Sequence, residues 1–89
     1  MPVTRFLIGM DVGSTTVKAV VVDAATDTMV WHDYQRHETK QPEKVLEFLK
    51  RIDDEVDGLR AATAAGETCV FITGSGGMNI AAKLGAKFV

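Results

Sequence analysis

Gly9-Met10-Asp11-Val12-Gly13-Ser14-Thr15-Thr16-Val17-Lys18 is the stretch on which the reading of this chain turns. It starts inside the apolar run Phe6 to Met10, passes through Asp-Val-Gly, and enters a second, β-branched run from Thr16 to Asp23. Two strands joined by a polar, glycine-containing turn account for that pattern, which is a hairpin. Glycine in a tight turn lets the backbone come close to an anion, and successive amides around Gly13, Ser14 and Thr15 can share one concavity suited to phosphate oxygens. The hydroxyls of Ser14 and Thr15 add donors, and Thr16 closes the candidate phosphate loop. Asp11, at the end of the first strand, is the candidate magnesium-side carboxylate, because a hard cation working with phosphates takes one or two carboxylates and retains waters. Lys18, four residues after Ser14, returns a positive charge to the place where a transferred or departing phosphate needs it. Asp11 and Lys18 are thus the catalytic candidates. Asp-x-Gly-Ser is also ordinary turn chemistry; the complete string with a strand on each side is what favours phosphate binding. It is not a Walker loop, since no Gly-Lys-Ser/Thr follows and the turn leads to a strand.

Working outward, Thr28 to His37 reads as a third strand, with Met29, Val30, Trp31 and Tyr34 interrupted by polar residues as on a sheet edge. From Pro42 the period becomes helical: Val45, Leu49, Ile52, Val56 and Leu59 form one apolar stripe, running through Gly58 and stopping at Gly66. Pro42 and Glu43 suit the first turn, and Glu47 with Arg51 and Lys50 with Asp54 are spaced for (i, i+4) pairs. Thr68 to Thr73 is a short continuous apolar strand, expected to be parallel and buried on both faces. Gly74-Ser75-Gly76-Gly77 follows, a second candidate anion site at a strand-to-helix junction, with Gly74, Ser75 and Gly76 as its cofactor-binding residues. Glycines there also serve plain chain reversal. Met78 to Leu84 reads as a second helix capped by Gly85, and Lys87-Phe88-Val89 as the start of a further strand. The order is β-β-β-α-β-α with an interrupted β, so the fold class is α/β with a mixed sheet. The three-residue last strand makes residues 1–89 read as the N-terminal portion of a longer protein.

The composition excludes several classes. With 46% hydrophobic and 25% charged residues and a net charge of −2 over 89 residues, the chain is globular and not a disordered tail. Neither a signal-peptide core nor a run of about 20 apolar residues is present, so no membrane segment is expected. Mild acidity without Lys/Arg clusters argues against nucleic acid. The single cysteine, Cys69, forms no internal disulfide and suits a cytoplasmic setting; in so apolar a strand it reads as a small buried filler. His32 and His37 lie five apart on a strand and point to opposite faces, reading as solvated edge residues and not as joint metal ligands.

Gly9 to Asp23 (GMDVGSTTVKAVVVD) resembles the first phosphate motif of the acetate and sugar kinase, heat-shock chaperone and actin superfamily. Tyr34-Gln35-Arg36-His37 leading into the Pro42 helix, together with Phe71-Ile-Thr-Gly-Ser-Gly-Gly-Met78 and Leu84-Gly-Ala-Lys-Phe-Val89, resembles the CoA-substrate-specific enzyme activases. These are the ATPase activators of 2-hydroxyacyl-CoA dehydratases and related benzoyl-CoA reductase components. The resemblance implies part of a ribonuclease-H-like, actin-like ATPase domain, three antiparallel strands continuing into parallel ones. It implies ATP or ADP with Mg²⁺ as ligand, with Asp11 on the magnesium side, Gly13, Ser14 and Thr15 in the phosphate turn and Lys18 as the phosphate-side cation. It further implies a dehydratase or reductase partner, and a 4Fe-4S cluster in the parent family that one cysteine per chain does not hold. Ser-Gly-Gly, where smaller activators carry an aromatic and an arginine, points to the large fused activases. Half of an ATP cleft is expected to turn over negligibly by itself. A sugar, short-chain acid or pantothenate kinase-like fragment shares the phosphate motif, and a non-catalytic interaction module is the reading from a third class. Self-association through the unpaired sheet edge and uncovered apolar face is also expected.

Overall fold

Apolar residues at every second position build a meander that then accepts parallel strands. The computed structural model describes residues 4–37, 40–74 and 87–88. In it β1 (Phe6–Val12), β2 (Thr16–Asp23) and β3 (Thr28–Arg36) are antiparallel neighbours, while β4 (Thr68–Thr73) pairs in parallel with β1, and β5 (Lys87–Phe88) with β4. The sheet order is β3-β2-β1-β4-β5, so β3 lies at an edge. Helix α1 (Gln41–Glu55) and the short α2 (Leu59–Ala64) connect β3 to β4. This is a mixed α/β sheet, three antiparallel strands followed by parallel ones, as the order of elements in the sequence predicts. The expected second helix, Met78 to Leu84, and its cap at Gly85 lie outside the described residues.

Period two separates the faces of the sheet. Phe6, Ile8, Met10 and Val12 of β1 and Val17, Ala19 and Val21 of β2 are buried together with Val45, Phe48 and Ile52 of α1 and Leu59 and Ala62 of α2. Asp11 and Lys18 are exposed on the opposite face, with Val20 37% exposed between them and the middle of the sheet. Among the described residues no helix covers that face. Nor is β4 buried on both sides as its composition predicts: only Ile72 is fully buried, and Thr68 to Phe71, Cys69 included, are half-buried.

The apolar stripe predicts one helix through Gly58, and the structure has two. α1 ends at Glu55, Val56 is extended, and Gly58 adopts a left-handed φ of 82° before α2 begins. Glycine in a helix interior costs about 1 kcal/mol relative to alanine, while the left-handed region is open to it. Breaking there lets Val56 and Leu59 both reach the core. The stripe also omits Phe48, which is fully buried, whereas Leu49 only packs against the core from its side. Trp31 decides between them: its ring meets Phe48 edge-on at 6.0 Å and 74°, and its indole N–H donates to Glu55 at 3.2 Å.

The surface charges bridge elements where the sequence spacing predicts pairs within the helix. Arg51 engages Asp33 of β3 and Glu55 and lies 5.2 Å over the Trp31 ring, in place of Glu47. Lys44 takes Glu47 at 3.0 Å, and Asp53 and Asp54 both receive Arg60 of α2, in place of Lys50 with Asp54. On β2, the Arg5 guanidinium donates to both oxygens of Asp23 at 3.1 and 3.3 Å. These hydrogen bonds hold the carboxyls of Asp23 and Asp33 below the ordinary carboxylate range. In the folded state both carboxyls give up protons more readily than in the unfolded chain, so the stability they contribute is present above about pH 4 and is lost as pH falls through their depressed values. Urea midpoints are expected to drop on acidification below about pH 4, and to drop less in Asp33→Asn; identical pH slopes for the two proteins would contradict this.

Candidate functional site

The turn from Gly13 to Thr16 is narrow because it is closed by its own backbone. The Gly13 amide donates to the Thr16 carbonyl at 2.8 Å, and a Cβ on Gly13 would sit 3.3 Å from that oxygen. Ser14 and Thr15 form the exposed tip. Among the described residues no backbone oxygen accepts from the Ser14 and Thr15 amides. The carbonyls are held from the other side: His37 donates its backbone amide to Thr15 at 3.1 Å, and the Gly13 oxygen receives His37 Nε2 at 2.9 Å and Gln41 Nε2 at 3.0 Å.

Strand register places the chemistry beside this turn. Asp11 is the direct cross-strand partner of Lys18, Lys18 that of Tyr34, and Asp11 pairs in parallel with Thr73. Residues opposite one another share a face, so Tyr34, Lys18, Asp11 and Thr73 form one row across the open side at the C-terminal end of β1. Among the described residues neither Asp11 nor Lys18 has an ion-pair partner, and the Lys18 ammonium leans over the Tyr34 ring, 5.6 Å from its centroid. The next row down, Val20, Gly9 and Phe71, dips where Gly9 lacks a side chain. The result is a groove of about 600 Å³ with an apolar floor and Asp11, Lys18 and Thr73 at one end.

No family model matches the chain, and no curated protein does. Among solved structures, the crystal structure of the Aquifex aeolicus member of the Ppx/GppA protein family aligns with a TM-score of 0.47 at 8% identity, over 96% of this chain and 35% of that one. A structural study of the Aquifex aeolicus PPX-GPPA enzyme gives 0.45 at 12% identity, over 94% and 34%. The chain thus spans about a third of the length of either protein.

Gly74, at the end of β4, touches the same site from behind. Its φ of 100° is closed to most side chains, and a Cβ there would fall 2.7 Å from Asp11 Oδ1. The two glycine-containing segments therefore meet through Asp11. Ser75 and Gly76 lie outside the described residues. Among the described residues no three His, Cys, Asp or Glu side chains gather as a metal cage. One exposed carboxylate, Asp11, beside the turn is a donor of the kind taken by a magnesium ion that keeps its waters.

Sequence reasoning missed His37 and Gln41. His37 reads as a solvated edge residue, but β3 ends at Arg36 and the following His37 turns inward to 3% exposure, its ring against the Gly13 carbonyl. The signal that could have found it is position: it is the first residue after the strand that pairs with the turn's own strand. His32, within β3, is exposed.

Proposed function

We propose that this chain is the phosphate-binding N-terminal portion of an actin-like ATPase of the CoA-enzyme activase type, taking ATP or ADP with Mg²⁺. The observation that carries the reading is the cross-strand pair Asp11 and Lys18: among the described residues both are exposed and without an ion-pair partner, and they stand beside a turn whose tip amides have no backbone acceptor there. Opposite charges at one groove end, with donors next to them, suit a magnesium-bound polyphosphate more than a packed core. Asp11 is the residue that would hold the ion through its water shell, and the ion would supply charge neutralisation on the phosphate oxygens. Lys18 would move off the Tyr34 ring to a phosphate oxygen, and Ser14, Thr15 and Thr16 would donate to the others. In the longer protein, a second domain would close over the nucleotide and drive electron transfer to a 2-hydroxyacyl-CoA dehydratase or related reductase, with any 4Fe-4S cluster held by cysteines other than Cys69.

An NMR titration of the chain with magnesium ADP and a non-hydrolysable ATP analogue tests this. Shifts are expected from Asp11 through Lys18, and no response at millimolar ligand defeats the proposal. Lys18→Ala should weaken binding about tenfold, the effect of losing one charge-assisted contact of about 1.4 kcal/mol at an exposed site, with little change in stability.

Among the described residues no helix covers this face, which favours an additional partner. Val20, Met29 and Tyr34 are exposed there or along the adjoining edge strand β3, and the apolar groove adjoins them. A second copy of the chain covering this face is expected to raise the mass seen by light scattering as concentration increases; a constant monomer mass would rule it out.

A further inference from the structure

The mechanism above uses the outer side of the phosphate turn; the inner side carries a device of its own. Gly13 is separated by more than twenty residues from both groups that grip its carbonyl oxygen, His37 Nε2 at 2.9 Å and Gln41 Nε2 at 3.0 Å. A carbonyl oxygen only accepts, so the His37 ring carries its proton on Nε2 and both side chains donate. His37 is buried, follows β3 directly, and also donates its backbone amide to Thr15. Gln41 is the first residue of α1. Two donors from the β3–α1 junction thus converge on a single peptide of the turn.

That convergence fixes a direction. In a planar trans peptide the C=O and the next N–H point opposite ways. The Gly13 oxygen faces the β3–α1 junction, on the side of the sheet that α1 covers, so the Ser14 N–H of the same peptide is turned toward the other side, where Asp11 and Lys18 stand. Two side-chain donors on that one oxygen hold the plane of the Gly13–Ser14 peptide in a single orientation.

We propose that His37 and Gln41 are positioning residues that lock the Gly13–Ser14 peptide so that the Ser14 amide faces a phosphoryl group at the Asp11–Lys18 end of the groove. The inference rests on the phosphate reading of the turn for its ligand, and on hydrogen-bond geometry alone for the peptide's orientation. Neither residue touches the ligand.

The test uses the full chain, its single variants Gln41→Leu and His37→Gln, and the double variant His37→Leu/Gln41→Leu. Residual dipolar coupling of the Ser14 amide and the carbonyl carbon shift of Gly13 are read without ligand, and affinity is read with magnesium ADP. His37→Gln, which keeps a donor at similar reach, should preserve both readouts. The double variant should change the Ser14 coupling and lose about tenfold in affinity, with Asp11 and Lys18 unaltered in sequence and the spectrum still dispersed. If that variant does not fold, Gln41→Leu decides by a smaller change of the same sign, because Gln41 is only half-buried. A wild-type coupling that puts the Ser14 N–H on the helix side overturns the inference whether or not nucleotide binds. So does a folded double variant with wild-type coupling and affinity. A wild-type chain with the expected coupling but no response to magnesium ADP overturns the phosphate reading and leaves the clamp standing as a turn-shaping device.

Discussion

Phe48→Ala is expected to remove about 3 to 5 kcal/mol of stability, the range for truncating a fully buried aromatic side chain. Phe48 is 0% exposed and lies where α1 meets Trp31, with Val45 and Ile52 on either side along the helix. Its removal opens a cavity between helix and sheet that the rigid β-meander cannot close. The Arg51 guanidinium, 5.9 Å over the Phe48 ring and 5.2 Å over Trp31, loses part of its platform as well. Native domains hold only about 5 to 15 kcal/mol in total, and one this small sits toward the lower end, so the variant should be largely unfolded in mild urea. Leu49→Ala, one position on but only half-buried, should cost much less. Urea midpoints followed by circular dichroism compare the two, and equal losses would show that α1 is rotated from the orientation described.

Gly74→Ala should come next, at roughly 3 kcal/mol or more, because backbone strain and overpacking of about 1 to 3 kcal/mol each act at the same atom. The φ of 100° is strained for alanine, and the new methyl would lie 2.7 Å from both Asp11 Oδ1 and the Val12 carbonyl carbon and closer still to the Val12 oxygen. Backbone cannot yield as a flexible side chain end does. Relief requires moving the end of β4 away from the Val12 backbone of β1, and the Asp11 carboxylate must shift with it. The substitution is therefore a probe of the site as well as of stability: a folded Gly74→Ala protein should show altered Asp11 resonances. A urea midpoint within error of the wild type would mean that the β4 terminus does not approach β1 as described. Gly58→Ala makes a useful contrast, since nothing lies within 4 Å of its Cβ position and only the left-handed φ resists the change.

Much of the fold was legible in the chain because its signals are local. The apolar run Phe6 to Met10 and the β-branched run Thr16 to Asp23, with Asp-Val-Gly-Ser between them, specify a hairpin, and β2 has the bounds its β-branched run predicts. Thr68 to Thr73 is bounded by glycines and appears as β4 over those residues. The sequence set Asp11 and Lys18 on the two strands beside the turn, and the observed register makes them direct cross-strand neighbours. In the site, therefore, the turn and its flanking charges were readable. The groove beside them was not, since it needs Phe71 of β4 placed against Gly9 from some sixty residues away.

By itself, then, the sequence determined the strands and the residues at the turn, both of which follow from the period-two pleat and from turn stereochemistry within a few residues. Tertiary structure alone decided that Phe48 and not Leu49 faces the sheet, that the helix breaks at Gly58, that β4 is half-buried over Thr68 to Phe71, and that His37 turns inward onto the Gly13 carbonyl. The Trp31 ring settled the helix face and the Gly13 carbonyl the histidine, both from far along the chain, while the break at Gly58 lets Val56 and Leu59 both reach the core.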